Sequence, residues 1–205
     1  MKVKIYVEGG GDSKALRIRC REGFHKLLER AGFAGRMPAI TSCGGRLSAF
    51  DDFRTAVGCS AAGTYPLLLV DSESGVSKEP WDHLKDQDNW DKPDDAEDDQ
   101  AHLMVQCMET WIAADQEAVK NFFGQYLLEK ALPPTDDLEN RSKDDVQTAL
   151  KNATKNCGRD RMYEKGKRSF ELLGQLDPEK LKVLPYFSRL CNVLDEKLDR
   201  PMHSA

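Results

Sequence analysis

The stretch "TYPLLLVDSES", Thr64–Ser74, decides the fold. Four consecutive apolar residues, Leu67 to Val70, are bounded by turn formers and run straight into Asp71-Ser72-Glu73. A short, continuously apolar run of this kind suits a strand covered on both faces, as in a parallel sheet sandwiched between helices. Working back from it, "MPAITSC" (37–43) reads as a second short strand ending at Gly44-Gly45-Arg46. A helix with Leu47, Phe50, Phe53 and Val57 on one face follows. Further back, "KIYVEGGGDSK" (4–14) carries β-branched Val3, Ile5 and Val7 into Glu8 and three glycines. After Ser13 the residues Leu16, Cys20, Phe24, Leu27, Leu28 and Ala31 fall at helical spacing, with Gly32 as a stop. Forward, "AHLMVQCM" (101–108) is a further strand leading into helical "ETWIAADQEAVKNFF" (109–123), where Met108, Trp111 and Ile112 read as core.

This alternation predicts an α/β fold with a doubly wound, mainly parallel sheet flanked by helices. The α/β core is expected over 1–125. Residues 126–205, charged, helical in pattern and punctuated by Pro133-Pro134, Pro178 and Pro185, are expected as a helical extension packed on that core. A chain of 205 residues is long enough for one good core. No apolar stretch approaches bilayer length and the N-terminus lacks a secretory shape, so a cytoplasmic protein with no membrane partner is expected. The six cysteines (Cys20, Cys43, Cys59, Cys107, Cys157, Cys191) are scattered singly, which argues against a zinc site or a disulfide framework.

The net charge of −5 conceals an uneven distribution. "DQDNWDKPDDAEDD", 86–99, holds eight acids and one lysine, a local −7 that leaves about +2 for the rest. The total therefore does not exclude a nucleic-acid partner. The segment 86–100 reads as a flexible, solvated acidic loop; it is no EF-hand, because the turn glycine is missing and Trp90 occupies a ligand position.

In parallel α/β sheets, ligands bind beyond the carboxyl ends of the strands. Two strands here end in acids, Val7 into Glu8 and Val70 into Asp71-Ser72-Glu73. Extended geometry would put Asp71 and Glu73 on one side, since side chains alternate with period two. Converging carboxylates call for neutralisation, and a hard cation, Mg2+ or Mn2+, suits oxygen ligands. Such an ion activates water and clamps phosphate. Gly9, Gly10 and Gly11 are not a Walker loop, and the third glycine of a dinucleotide fingerprint would fall on Lys14. They instead allow a sharp turn beside Glu8. The histidines (His25, His83, His102, His203) show no ligand or triad spacing, and no G-x-S-x-G elbow occurs.

"YVEGGGD" followed by "LLLVDSE" resembles a Toprim domain, with an acid after the first strand and an acidic pair after a later one. Over most of the chain the sequence more narrowly resembles the Toprim-like domain of unknown function family 4276 (DUF4276), through "VEGGGD", "SCGGR", "LLLVDSE", "HLMVQCMETWIAAD" and "YEKGKRSFELL…LDPEKL…LPYFSRL". The resemblance implies that Glu8 is a metal ligand or general acid/base and that Asp71 and Glu73 are metal ligands. Glu73 stands where many Toprim domains have Asp, which leaves one metal or two open. By analogy with the related overcoming-lysogenisation-defect nucleases, Lys165 would stabilise charge on a scissile phosphate.

Two further features suit phosphate. Gly44-Gly45-Arg46 lies at a strand-to-helix junction on the same sheet edge, where backbone N–H groups and a guanidinium attract anions. The basic stretch 155–168, with six Lys or Arg against two acids, contains Lys165 and Lys167. The first helix adds Lys14, Arg17, Arg19 and Arg21, of which helical spacing lets only some line a groove. Glu109 and Asp115 follow a strand and could approach the acids or simply stabilise a helix start. The expectation is a Mg2+-dependent nuclease or related phosphoryl-transfer enzyme acting on DNA or RNA, for which the family resemblance implies a role in bacterial antiviral defence. The alternative is a non-catalytic binding or assembly module on the same scaffold, partner of an ATPase.

Overall fold

A computed structural model describes residues 1–59, 63–159 and 161–199. Four strands, β1 (Lys2–Gly10), β2 (Ala39–Gly44), β3 (Thr64–Asp71) and β4 (Ala101–Met104), form one sheet in the order β2-β1-β3-β4. Every pair is parallel, with Ile5 opposite Ile40 on one side and Leu67 on the other, and Val70 opposite Leu103. Period-two alternation splits each strand between two cores. Val3, Ile5, Val7, Leu67, Leu69 and Met104 face one way, and Tyr6, Leu68, Val70 and Leu103 the other. That is why Leu67–Val70 of β3 reads as an unbroken apolar run.

Helix α1 (Lys14–Leu28) covers the first face with Cys20, Phe24, Leu27 and Leu28, capped by Ser13, whose hydroxyl accepts the Leu16 N–H. Helix α2 (Arg46–Gly58) covers the second with Phe50, Phe53 and Val57. The chain thus leaves β1 outward to β2 and leaves β3 in the opposite direction to β4. Such a reversal opens a crevice at the carboxyl ends of the two central strands, β1 and β3.

The segment expected as a solvated loop is corrected by the structure. Helix α3 (Pro80–Asp88) opens the connection, and Trp81, Leu84, Trp90 and Ala96 are buried in the second core. Trp90 stacks on Phe50 at 4.4 Å, and the Trp81 indole donates to the Glu97 carbonyl at 3.1 Å. Gln100 donates to the Pro66 carbonyl at 2.8 Å and accepts from the Glu97 N–H at 2.7 Å. The Tyr65 hydroxyl bonds Glu97 and Asp99, which Lys197 also pairs. The segment is a strap held by apolar anchors, with Asp91, Asp94 and Asp95 left in solvent. Net charge masked those few anchors.

After β4 come α4 (Met108–Ala114), α5 (Gln116–Phe123), α6 (Lys143–Thr154), α7 (Lys167–Leu173), α8 (Pro178–Leu181) and α9 (Pro185–Asp199). Asp115 ends one continuous helical pattern by capping α5 through Ala118 N–H, while its other oxygen accepts the Asp177 N–H. Residues 200–205, the end of the expected helical extension, lie outside the described residues. The helices beyond 126 join the first core. Trp111 of α4 sits edge-on between Phe24 of α1, at 6.2 Å, and Phe187 of α9, at 5.0 Å. No helix among the described residues is long and apolar enough to cross a membrane.

Since Phe187 is fully buried in a core shared by sheet and C-terminal helices, Phe187→Ala should cost about 3–5 kcal/mol. Urea unfolding followed by tryptophan fluorescence and by circular dichroism should still give one coincident transition, at a lower midpoint.

Candidate metal centre

The glycine run presents Glu8 by letting β1 collapse onto its neighbours. Glu8, Gly9 and Gly10 all lie opposite Gly44, so the parallel register breaks where the strand ends. At Gly10 (φ +86°) a Cβ would fall 2.7 Å from the Arg17 backbone; at Gly44 (φ +86°) it would fall 2.6 Å from the Gly11 carbonyl oxygen. Only glycine fits these approaches.

Glu8 reaches across to β3, where its Oε2 accepts the Asp71 N–H at 3.2 Å. Asp71 is the last residue of β3 and only 4 % exposed. Its Oδ1 accepts the Met108 N–H at the start of α4 at 2.8 Å, and its Oδ2 meets Lys143 Nζ of α6 at 3.4 Å. Glu73 arrives by a route that period-two alternation does not describe. The strand stops at Asp71, and Glu73 takes a left-handed conformation (φ +65°) that turns its side chain back. Backbone bonds from Ser72 N to the Met104 carbonyl and from Glu73 N to the Gln106 carbonyl, both 3.0 Å, hold that turn. Glu73 Oε1 then accepts from Lys143 Nζ at 2.6 Å.

One carboxylate oxygen each from Glu8, Asp71 and Glu73 lies within 4.8 Å of the others. The donors are all hard oxygens, and their crowding in a half-buried place fits a divalent cation. Electrostatics agree. Burial first, then the charges of Glu8 and Glu109, push the Asp71 carboxyl up to about 7, against the pull of Lys143 and Lys165. Burial also raises Glu8, partly offset by Arg46 and by the Asp71 N–H. Burial alone would lower the Lys143 ammonium, but its bond to Glu73 and the Asp71 charge outweigh that and hold it above its ordinary value.

Beside the cluster lies a cavity of about 200 Å3, lined by Glu8, the Gly9–Gly11 run, Gly44, Asp71, Glu109 and Lys165 among others. Lys165 and Gly44 therefore line the same cavity as Glu8 and Asp71. Gly45, exposed, occupies the N-cap of α2, and Lys167 opens α7 at the surface away from the cavity lining. Arg46 stands within the cluster, but Asp88 takes its fork, with Nε–Oδ1 at 2.8 Å and Nη2–Oδ2 at 2.6 Å. Its Nη1 spans Glu8, at 3.5 Å, and the Asp71 carbonyl. The guanidinium expected on a phosphate thus braces the acids.

Sequence reasoning missed Lys143 and Asp88, whereas Glu109, named there as an acid that could approach the cluster, does line the same cavity. Ser142-Lys143 gives only a helix-start signal; its hydroxyl caps α6 through the Asp145 N–H. Asp88 belongs to the strap read as loop. Glu109, fully buried, accepts from the Tyr163 hydroxyl at 2.8 Å and from Gln147 at 3.4 Å.

Together the fold and site define an open parallel α/β protein with an acidic, metal-competent cluster at its topological switch point. The chain belongs to the family described as Domain of unknown function (DUF4276), whose model matches residues 7–195. No match was found among curated proteins or among solved structures.

The raised Asp71 pKa fixes a pH dependence. Between about 4, its unfolded value, and about 7, the folded state keeps a proton that the unfolded state has lost, so this group's contribution to stability falls as pH rises through that window. A bound cation replaces the proton. Addition of Mg2+ or Mn2+ should therefore raise the melting temperature more at pH 8 than at pH 5.5. Asp71→Asn should melt higher than wild type at pH 8 without metal and lose most of the metal-dependent increment; differential scanning fluorimetry reads both.

Proposed function

We propose that the protein is a Toprim-type, divalent-metal-dependent phosphodiesterase acting on nucleic acid. The observation that carries this reading is the approach of the Glu8, Asp71 and Glu73 carboxylates to within 4.8 Å, beside a cavity that Lys165 also lines. A divalent ion held by these three would supply Lewis acidity and a more acidic bound water. The chain's own residues supply the remainder. Lys165 offers a positive charge to a phosphate in the cavity. Glu8, whose Oε2 accepts the Asp71 N–H, would serve either as a ligand of that ion or, left unligated, as the group that exchanges a proton with the reacting oxygens, not as both at once. Arg46, gripped by Asp88, keeps Glu8 and the end of β3 in register. The cavity walls of glycine leave room for a sugar–phosphate backbone to approach closely.

A second reading draws on Lys143, which spans Asp71 and Glu73 and neutralises part of the cluster with no cation. On that reading the scaffold is a non-catalytic module, partner of an ATPase.

The two separate in one assay. Supercoiled plasmid, single-stranded DNA and tRNA are incubated with the protein and Mg2+ or Mn2+. Cleavage should fall by about 100-fold or more in Glu8→Gln and Asp71→Asn, and by about 10–100-fold in Lys165→Ala, the usual range for lost acid/base or electrostatic groups. No cleavage by the wild-type chain with either ion favours the non-catalytic module, and cleavage untouched by Glu8→Gln overturns the mechanism placed on this site.

A further inference from the structure

Across a rim of Gly11 and Gly44 backbone from the acidic cavity lies a second concavity that nothing above explains. It lies between α1 and the outer edge of β2, measures about 210 Å3, and is lined by Lys14, Arg17, Ile18, Arg21, Ile40 and Thr41, with Ser42 at its floor. No carboxylate lines it. Past Ile18 and Arg21 a neighbouring hollow of about 300 Å3 extends it to His25 and Lys26, with Glu22 as the acid there. The i, i+3, i+7 spacing of Lys14, Arg17 and Arg21 puts them on one stripe; Arg19, off that stripe, turns instead to Glu171 at 2.6 Å. Among the described residues none of the three cations of the stripe makes an ion pair with a carboxylate. This sets them apart from Arg46 and Lys143, each committed to an acid.

Arg17 joins the two concavities. Its Nε donates to the Gly11 carbonyl at 2.8 Å, and its Nη2 lies 2.8 Å from where a Gly44 Cβ would stand. Gly11 and Gly44 both line the catalytic cavity. A chain of anions leaving the acidic cluster over this rim and running along α1 meets Lys14, Arg17 and Arg21 in that order, about 4.5 and 6 Å apart along the helix axis. Repeating anions at comparable spacing are what a sugar–phosphate strand presents. The strap, packed on the other face of the sheet from α1, exposes Asp91, Asp94 and Asp95, charges that repel such a strand.

We propose that the α1–β2 groove is the docking track for a single polynucleotide strand, whose phosphates pair with Lys14, Arg17 and Arg21 while the strand's end or scissile bond occupies the acidic cavity. This deepens the phosphodiesterase reading and rests on it for the second half of that statement; the groove as a binding surface stands or falls separately.

The test uses the full chain and fluorescein-labelled oligo-dT and oligo-U, about a dozen nucleotides long. Binding is followed by anisotropy in Ca2+ across a salt series. Lys14→Glu with Arg21→Glu should weaken binding by about tenfold or more, and flatten the log K against log salt slope by about 1.4, two single-strand phosphate contacts. Lys130→Glu, an exposed lysine away from the groove, should leave both unchanged. Lys14→Gln with Arg21→Gln repeats the measurement without introduced acids, and melting curves verify the fold. Binding unaltered by the paired variants overturns the proposal, as does poly-glutamate displacing the oligonucleotides at equal charge concentration. An oligonucleotide bound through Lys14 and Arg21 but never cleaved supports the groove and counts against the enzyme.

Discussion

The bond from the Asp71 N–H to the Glu8 carboxylate, made across the carboxyl ends of β1 and β3, is the contact on which the arrangement of the site depends. It forms where the last regular β1–β3 pairing, Val7 with Leu69, gives way to the end of the sheet. A peptide N–H at the end of a strand has no ladder partner to accept it and must find another; Glu8 provides one, and in doing so brings its charge to a second carboxylate. The repulsion that follows is tolerated because the fold surrounds the acids with donors: Met108 N–H at the start of α4, Lys143 from α6, and Arg46 from α2. Arg46 comes from the connection between β2 and β3, and Met108 and Lys143 from the helices that follow β4. The crevice created by reversal of strand order is thus where these segments converge on the same few atoms.

Glycine at 10 and 44 serves the same constraint from the other side. The chain after Glu8 descends steeply enough for Arg17 to bond the Gly11 carbonyl, so the first turns of α1 border the crevice. A single short segment therefore sets both the position of an acid and the start of a basic groove.

Much of this was legible in the sequence. The central strands stood out because burial on both faces demands unbroken apolar residues, and strand-end acids marked where ligands bind in this class of sheet. What the sequence concealed was long-range partnership. Glu73 looked like a strand residue two positions beyond Asp71, but the strand ends one residue after Val70 and a left-handed turn does the work. Arg46 was readable as a cation at a strand–helix junction, yet its partner Asp88 lay in a segment whose charge count drowned out Trp81, Leu84, Trp90 and Ala96. Lys143 carried no signal beyond a helix start, because it lies 70 positions beyond Glu73 and packing alone brings the two together. Of the cations in α1, helical spacing announced that some would share a face; only the position of β2 decided which.

The origin of Lys143 in α6 has a consequence for how the two halves of the chain depend on each other. The acids at the head of the sheet belong to residues before 74, whereas the ammonium bridging two of them is delivered by a helix that docks long afterwards in the chain. The C-terminal helices therefore act as an intramolecular counter-ion for the α/β half. Until they close over the sheet edge, the carboxylates face one another with Arg46 as their nearest compensation, and the sheet alone carries an electrostatic debt that the completed chain discharges.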